Sequence, residues 1–193
     1  MTDTNMALSG VNKKVLEAHG GMARCFMADE EVAGEAKERK VTRAVVSMEH
    51  AAKLDKPVIF AIGNAPTALI RLYELICDGI YRPAFIIGVP VGFVNVEVAK
   101  EMILHTDVPC IVNRGRKGGS NVAAAICNAL LYEVRREEEA IEFLEKKPKE
   151  LEIVLTGQNP DEKLVELADY VSEIKKVKHP FDQGIYARKG IEY

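Results

Sequence analysis

The sequence predicts an α/β fold: a mostly parallel sheet with helices on both faces, in a Rossmann-like three-layer arrangement, and a short α/β C-terminal appendage. Three apolar runs rich in β-branched residues carry this prediction, at 58–62, 84–87 and 110–112. A glycine-bearing turn and then a helical pattern follow each run. This order is typical of parallel strands joined by covering helices.

Periodicity, caps and helix breakers predict the remaining elements. Before the three successive strand–turn–helix segments, helices are expected at 13–19, 30–39 (with Asp29 as N-cap) and 48–54, and strands at 23–28 and 44–47. Within these three segments, helices are expected at 68–77, at 96–104, and from a cap at Ser120 or Asn121 to about 133. After them we expect a charged helix at 134–147, a strand at 151–155, a helix from Asp161 to about 174 and a basic irregular tail.

A change in composition between Tyr132 and Arg136 predicts two domains, 1–134 and 135–193. The helix before this junction is rich in alanine, whereas the one after it is highly charged. Of the 193 residues, 48% are hydrophobic and 28% charged, which is ordinary for a globular protein.

Composition also argues against several function classes. The net charge of −3 is unlike that of a general nucleic-acid binder. No apolar run approaches the length of a membrane span. The four cysteines lie singly inside apolar runs, which predicts buried reduced thiols, no metal centre and a cytoplasmic protein.

The three glycine-bearing turns are expected to form a ligand site, because ligands of parallel α/β sheets bind outside the carboxyl ends of the strands. The residues that this placement brings to one rim are Asn64, Thr67, Pro90, Gly92, Arg114 and Arg116. For any one glycine or proline taken alone, simple turn geometry is the alternative explanation.

The turn at 114–119 indicates an anion site. It combines Arg114, Arg116 and Lys117 with the adjacent glycines Gly118 and Gly119, directly before a predicted helix. Fixed cations, free backbone N–H groups and a helix N-terminus favour a phosphate or a carboxylate. The spacing of an ATP-binding Walker A loop is missing. A solvated basic turn is the alternative.

Four stretches carry a family resemblance: TDTNMALSG at 2–10, FAIGNAPTAL at 60–69, IGVPVGF at 87–93 and RGRKGGSN at 114–121. Through them, residues 1–134 resemble the precorrin-8X methylmutase (precorrin isomerase) family. The resemblance implies a homodimeric α/β isomerase of cobalamin biosynthesis that needs no cofactor. Its reaction moves a methyl group from C11 to C12 of the corrin ring, giving hydrogenobyrinate or its cobalt counterpart.

The substrate that the resemblance implies is a large polycarboxylate. Asn64, Thr67, Arg114, Arg116 and Lys117 are expected to hold its carboxylates. The glycines expected to let it approach the backbone closely are Gly88, Gly92, Gly118 and Gly119. The partner in the dimer is expected to complete the pocket.

The family's catalytic histidine lies in a longer portion that precedes the TDTN stretch, so we expect this chain to be an N-terminally shortened form. His19, His50 and His105 inherit no catalytic role and are expected on the surface or at helix ends. A general acid contributes about 10²–10⁴-fold. Its loss predicts impaired turnover, with binding retained.

The last part carries a second resemblance, at 138–144, 152–157, 167–173 and 177–193. These stretches resemble the C-terminal end of the cob(I)yrinic acid a,c-diamide adenosyltransferase family, which uses ATP. That family's Walker A loop has no counterpart in this sequence, and His179 is expected to be a structural turn residue. Three hypotheses follow: a methylmutase-type enzyme, an ATP-dependent adenosyltransferase, or a non-catalytic corrin-binding or assembly module.

Overall fold

The computed structural model describes residues 1–157, 159–173 and 175. The chain divides into two compact units, Met1–Arg136 and Glu137–Tyr193. In the described residues the elements are, in order, α1 (Asn5–Gly10), α2 (Lys13–Ala18), α3 (Glu30–Glu38), α4 (Arg43–Ala52), β1 (Ile59–Ile62), α5 (Pro66–Cys77), β2 (Phe85–Gly88), α6 (Val96–Leu104), β3 (Cys110–Val112), α7 (Ser120–Lys146) and α8 (Glu162–Glu166).

The three strands form a parallel sheet in the order β1-β2-β3. Ile62 at the end of β1 is paired with Gly88 of β2, and Gly88 is paired with Val112 of β3. The predicted α/β class and parallel sheet are therefore confirmed, and each strand lies within one residue of its predicted bounds.

Helices of the first unit cover both faces of this sheet. On one face, Phe60 and Ile86 are buried in a cluster that includes Leu72 of α5 and Ile103 of α6. On the opposite face, Ala61 and Ile87 pack in a second cluster with Ala123 of α7. Burying a large apolar side chain contributes about 1.5–3 kcal/mol. The alternation of side chains along the strands thus holds one helix layer on each face.

The outer edge of β1 is covered by the beginning of the chain. Thr2 forms a parallel bridge with Ala61. The carbonyl of Met1 accepts a hydrogen bond from the backbone N–H of Ala61 at 2.8 Å. Asp3 comes next in the chain, and its position is therefore fixed beside the end of β1.

Two strands predicted before β1 are wrong. Residues 44–47 lie inside α4, which begins at Arg43 rather than at Met48. Thr42 caps α4 by accepting a hydrogen bond from the Val45 N–H at 3.3 Å, and the residues buried along the helix are Ala44, Val46, Ser47, Met48 and Ala51. The cap and this buried face outweigh the β-propensity of two adjacent valines. Residues 23–28 form an irregular segment instead of a strand.

Two helix starts also differ from their predictions. α5 begins at Pro66, so Pro66 and Thr67 belong to its first turn, where proline is well tolerated. Ser120 is already helical and does not cap α7; its hydroxyl lies 2.8 Å from the Thr4 hydroxyl instead. Asp29 precedes α3 as predicted, but its side chain makes no capping hydrogen bond.

The elements predicted after residue 133 differ most. A single helix, α7, runs to Lys146 in place of two helices. Residues 151–155 form no strand, and Val154 is 89% exposed; β-branched residues make a stable strand only where neighbouring strands pair with them. α8 ends at Glu166, well before the predicted end near residue 174, although the Asp161 carboxylate caps it by accepting from the Lys163 N–H at 2.8 Å. Residues 176–193, predicted as a tail, lie outside the described residues.

The cysteines are unpaired, but the prediction that all are buried is wrong. Cys25 is buried, Cys110 and Cys127 are partly buried, and Cys77 is exposed at the C-terminal end of α5. Cys77 is the last residue of a helix, where the apolar stripe of α5 ends.

No helix in the described part of the chain is long and apolar enough to cross a membrane.

Candidate functional site

Three loops meet at the carboxyl edge of the sheet. Ile62, Gly88 and Val112 are aligned by the strand register, so the chain leaves each strand at the same edge. We call these segments the first loop (63–65), the second loop (89–95) and the basic loop (113–119). They carry most of the residues that the sequence predicts for substrate binding.

A buried aspartate shapes the first loop. Asp3 is fully buried, and its carboxylate accepts hydrogen bonds from the backbone N–H groups of Gly63, Asn64 and Ala65 at 2.9, 2.8 and 2.7 Å. Three N–H donors around one carboxylate hold the loop in a single conformation. The side chain of Asn64 is left exposed at the edge.

The second loop is linked to the basic loop through its backbone. The N–H of Gly92 donates to the carbonyl of Arg116 at 3.3 Å, and the N–H of Gly119 donates to the carbonyl of Val89 at 2.9 Å. Beside these bonds, Phe93 and Val94 are 85% and 76% exposed. An apolar surface therefore lies next to the basic loop.

The two arginines of the basic loop are exposed and form only loose ion pairs. Nε of Arg114 lies 3.5 Å from the Glu101 carboxylate, and Nε of Arg116 lies 3.6 Å from the Glu97 carboxylate. The side chains of the two arginines are 80% and 60% exposed. Such pairs contribute at most about 1 kcal/mol. A carboxylate ligand can therefore replace either glutamate.

At Gly118 the backbone of the basic loop lies against the backbone of the second loop. The φ of Gly118 is +155°, and a Cβ atom there would lie 2.1 Å from the Val89 carbonyl oxygen. Only glycine fits without moving one of the two backbones. The two loops thus form one surface.

A buried lysine of α6 holds the backbone of the basic loop through hydrogen bonds. Lys100 of α6 is 1% exposed, and its ammonium donates to the carbonyls of Gly115 and Lys117, each at 2.8 Å. Burial lowers the pKa of Lys100, and the Glu97 carboxylate opposes this shift. The amide of Asn113 also donates to the Lys117 carbonyl, at 2.6 Å.

The first loop also touches the start of α7. A Cβ atom on Gly63 would lie 2.6 Å from the Ser120 Cα and 2.7 Å from the Gly119 carbonyl oxygen. The hydroxyls of Ser120 and Thr4 are hydrogen-bonded. All three loops are therefore joined through backbone contacts around Gly119.

The structure brings together most of the predicted site residues. Those at this edge are Asn64, Gly88, Pro90, Gly92, Arg114, Arg116, Lys117, Gly118 and Gly119. Thr67 differs, because it lies in the first turn of α5 and its hydroxyl is 3.2 Å from the Thr42 hydroxyl. The substrate-binding role of each of these residues stays a prediction.

Sequence reasoning missed the two buried charges, Asp3 and Lys100. Lys100 had a usable signal: it falls four residues after Val96 and three before Ile103, on the buried stripe of α6. Asp3 had a weaker one, since it stands in a polar run whose burial arises only from long-range pairing with β1.

The histidines lie outside the three loops. Nε2 of His50 is 2.8 Å from the Glu35 carboxylate, and Nδ1 of His105 is 2.6 Å from the Glu101 carbonyl at the end of α6. His19 follows α2. His179 lies outside the described residues. Among the described residues, no group of three or more His, Cys, Asp or Glu side chains could hold a metal ion.

In a comparison with known protein families, two family models match different parts of this chain. A family model described as precorrin-8X methylmutase matches residues 1–133. A second, described as ATP:corrinoid adenosyltransferase BtuR/CobO/CobP, matches residues 120–193.

Individual relatives agree with the first match. A cobalt-precorrin-8 methylmutase of Salmonella typhimurium is 47% identical over 69% of this chain and 62% of its own length, and one of Priestia megaterium is 46% identical over 67% and 58%. A solved structure of precorrin-8X methylmutase from Thermus thermophilus superposes with a TM-score of 0.63 at 36% identity, over 70% of this chain and 66% of that one. The chain thus spans about three fifths of the length of the two curated relatives.

Proposed function

Because the chain belongs to the precorrin-8X methylmutase family, we propose that it acts on a precorrin-8X-type substrate as an isomerase of cobalamin biosynthesis. The reaction moves a methyl group from C11 to C12 of the corrin ring, giving hydrogenobyrinate or its cobalt counterpart. Substrate and product are isomers, so no oxidant, reductant or second substrate is consumed. We propose that no cofactor takes part.

The basic loop is the observation that carries this proposal. A corrin precursor is a broad apolar ring with carboxylates around its edge. Arg114 and Arg116 are exposed and only loosely paired, and guanidinium groups bind carboxylates with two parallel hydrogen bonds. Phe93 stands exposed on the neighbouring loop and offers an apolar surface to the ring face. The edge of the sheet therefore suits both parts of the substrate.

The role of the described residues in this proposal is to bind and orient. Asn64, Arg114, Arg116 and Lys117 hold carboxylates, while Gly88, Gly92, Gly118 and Gly119 let the ring approach the backbone. Thr67 contributes through its place at the start of α5. None of His19, His50 and His105 is proposed as the acid that protonates the ring. We further propose a cytoplasmic homodimer whose second copy completes the pocket.

Pigment retention tests the proposal directly. The purified chain is mixed with hydrogenobyrinic acid and desalted, and the visible spectrum of the protein peak is recorded. We expect pigment to travel with the protein and about tenfold weaker retention in Arg116→Ala. Arg43→Ala removes an exposed arginine from the start of α4 and should retain pigment normally. A colourless protein peak for the unsubstituted chain would overturn the proposal.

The C-terminal match favours a second candidate, ATP-dependent transfer of an adenosyl group to a corrinoid. The observation behind it is the adenosyltransferase match over residues 120–193. Pigment retention that requires ATP would support it. Retention without ATP, together with conversion of precorrin-8X to hydrogenobyrinate in a separate assay, supports the methylmutase. Retention without either reaction would indicate a corrin-binding or assembly module.

A further inference from the structure

Lys100 is a charged residue in an apolar position. It lies on the face of α6 that also carries Val96, Ala99 and Ile103, and it is almost completely buried. Its ammonium forms no ion pair among the described residues. Instead it donates to two main-chain carbonyls of the basic loop, those of Gly115 and Lys117. A buried ammonium is costly, so this arrangement calls for a role.

The two carbonyls determine where the neighbouring N–H groups point. In a trans peptide, the C=O of one residue and the N–H of the next point in opposite directions, and the described residues contain no cis peptide. The carbonyls of Gly115 and Lys117 face Lys100, so the N–H groups of Arg116 and Gly118 face away from it. The Arg116 carbonyl accepts from Gly92, which turns the Lys117 N–H away from the second loop.

These three consecutive N–H groups have no acceptor within the described residues. Arg116 and Lys117 are exposed, and Gly118 is partly exposed. Backbone N–H groups that have no acceptor within a glycine-rich turn are available to an anion. The guanidinium of Arg116 belongs to the same segment.

We infer that Lys100 is the positioning residue of a carboxylate subsite made by the N–H groups of Arg116, Lys117 and Gly118. Lys100 holds the carbonyl side of the loop, so the N–H side stays turned toward the ligand. The ligand group is one peripheral carboxylate of a polycarboxylate tetrapyrrole, and this identification rests on the proposed function. Lys100 itself does not touch the ligand.

Replacing the ammonium tests the inference. Lys100→Met keeps the length and removes the donors, and it should raise the dissociation constant for hydrogenobyrinic acid about tenfold or more. Lys100→Arg keeps the cation and should restore part of the affinity. Val32→Ala is the matched control, because Val32 is fully buried in α3 away from the three loops. It should lower the free energy of unfolding with affinity unchanged. Equal affinity of Lys100→Met and the unsubstituted chain would overturn the inference.

A measurement on the unsubstituted chain covers the case in which Lys100→Met fails to fold. Amide hydrogen exchange of residues 116–118 is followed by NMR, first with hydrogenobyrinic acid and then with citrate as a small tricarboxylate. We expect exchange of these amides to slow at least tenfold with either ligand. Protection by citrate alone would support the subsite and contradict the proposed substrate. Pigment retention with unprotected amides would contradict the subsite alone. Unprotected amides together with a colourless protein peak would contradict both the subsite and the proposed function.

Discussion

The carboxylate of Asp3 holds the backbone N–H of Asn64 at 2.8 Å across 61 positions of sequence. It also binds the N–H groups of Gly63 and Ala65. Asn64 thus owes its position at the sheet edge to a residue near the start of the chain. The loop that follows β1 is consequently built by two distant parts of the sequence.

Asp3→Asn should destabilise the protein and disorder the first loop. The amide keeps one acceptor oxygen and turns an NH₂ group toward a buried N–H, and a hydrogen bond to a charged group contributes about 1.5–3 kcal/mol. We expect the free energy of unfolding in urea to fall by about 2 kcal/mol or more. Asp55→Asn, which neutralises an exposed aspartate, should change it by under about 0.5 kcal/mol. A loss for Asp3→Asn no larger than for Asp55→Asn would refute this role.

Gly118→Ala should separate the two loops that meet at this residue. The new methyl group would lie 2.1 Å from the Val89 carbonyl oxygen, a backbone atom that cannot rotate away. We expect a lower free energy of unfolding together with weaker pigment retention. Gly34→Ala provides the comparison, since Gly34 lies in α3 with nothing within 4 Å of its Cβ position. Alanine there should stabilise the helix by about 0.5–1 kcal/mol. Stability retained in Gly118→Ala would contradict the observed packing.

Glu49 should make stability depend on pH in the acid range. A hydrogen bond from Arg39, the largest cause, lowers the pKa of Glu49, and the charges of Arg39 and Arg71 act in the same direction against burial. Since the carboxylate form is favoured in the folded state, its contribution is complete above the ordinary pKa of 4.5 and is lost as the pH falls through the lower folded value.

Urea unfolding of Glu49→Gln between pH 2 and pH 7 checks this dependence. The variant should be less stable than the unsubstituted chain at pH 7, and the difference should shrink as the pH falls below about 4.5. Glu38→Gln, at an exposed position of α3, should follow the unsubstituted chain throughout. A difference independent of pH would show that Glu49 acts through packing alone.

Glu97→Gln should tighten pigment binding. The Glu97 carboxylate lies 3.6 Å from Nε of Arg116 and competes with a ligand carboxylate for this guanidinium. Exposed ion pairs contribute about 0–1 kcal/mol, so the gain in affinity should be at most about fivefold, and added salt should reduce it. Glu31→Gln, on the exposed surface of α3, should leave affinity unchanged. Weaker binding by Glu97→Gln would mean that the glutamate orders Arg116 rather than competing for it.

Local sequence was sufficient to predict the sheet but not all of its surroundings. Each strand is a short apolar run that ends at or just before a glycine or asparagine, and the structure places each strand within one residue of this pattern. The valines at 45 and 46 misled because their β-propensity is weaker than the Thr42 cap and the buried face of α4. Residues 151–155 have a strand-like composition, but they pair with no strand in the part of the chain that the structure describes.

The cations and glycines of the candidate site could be predicted from the sequence, but the two buried residues that position its loops, Asp3 and Lys100, could not. Arg116 and Gly118 stand in a contiguous, unusual stretch that signals an anion loop. Asp3 and Lys100 act through carbonyl and N–H groups more than ten residues away in sequence. Such contacts exist only once the chain has folded. A sequence motif therefore indicates the exposed residues of the site but not the buried residues that position them.

The contact between Gly63 and the start of α7 affects how fast a ligand would bind. A Cβ atom at Gly63 would lie within 2.7 Å of the Gly119 carbonyl oxygen, so the first loop cannot swing independently of the basic loop. Loops that are already fixed in one arrangement lose little conformational entropy when a ligand binds. Stopped-flow mixing with pigment should therefore show a single bimolecular phase whose rate rises linearly with concentration, without a slow isomerisation of the protein.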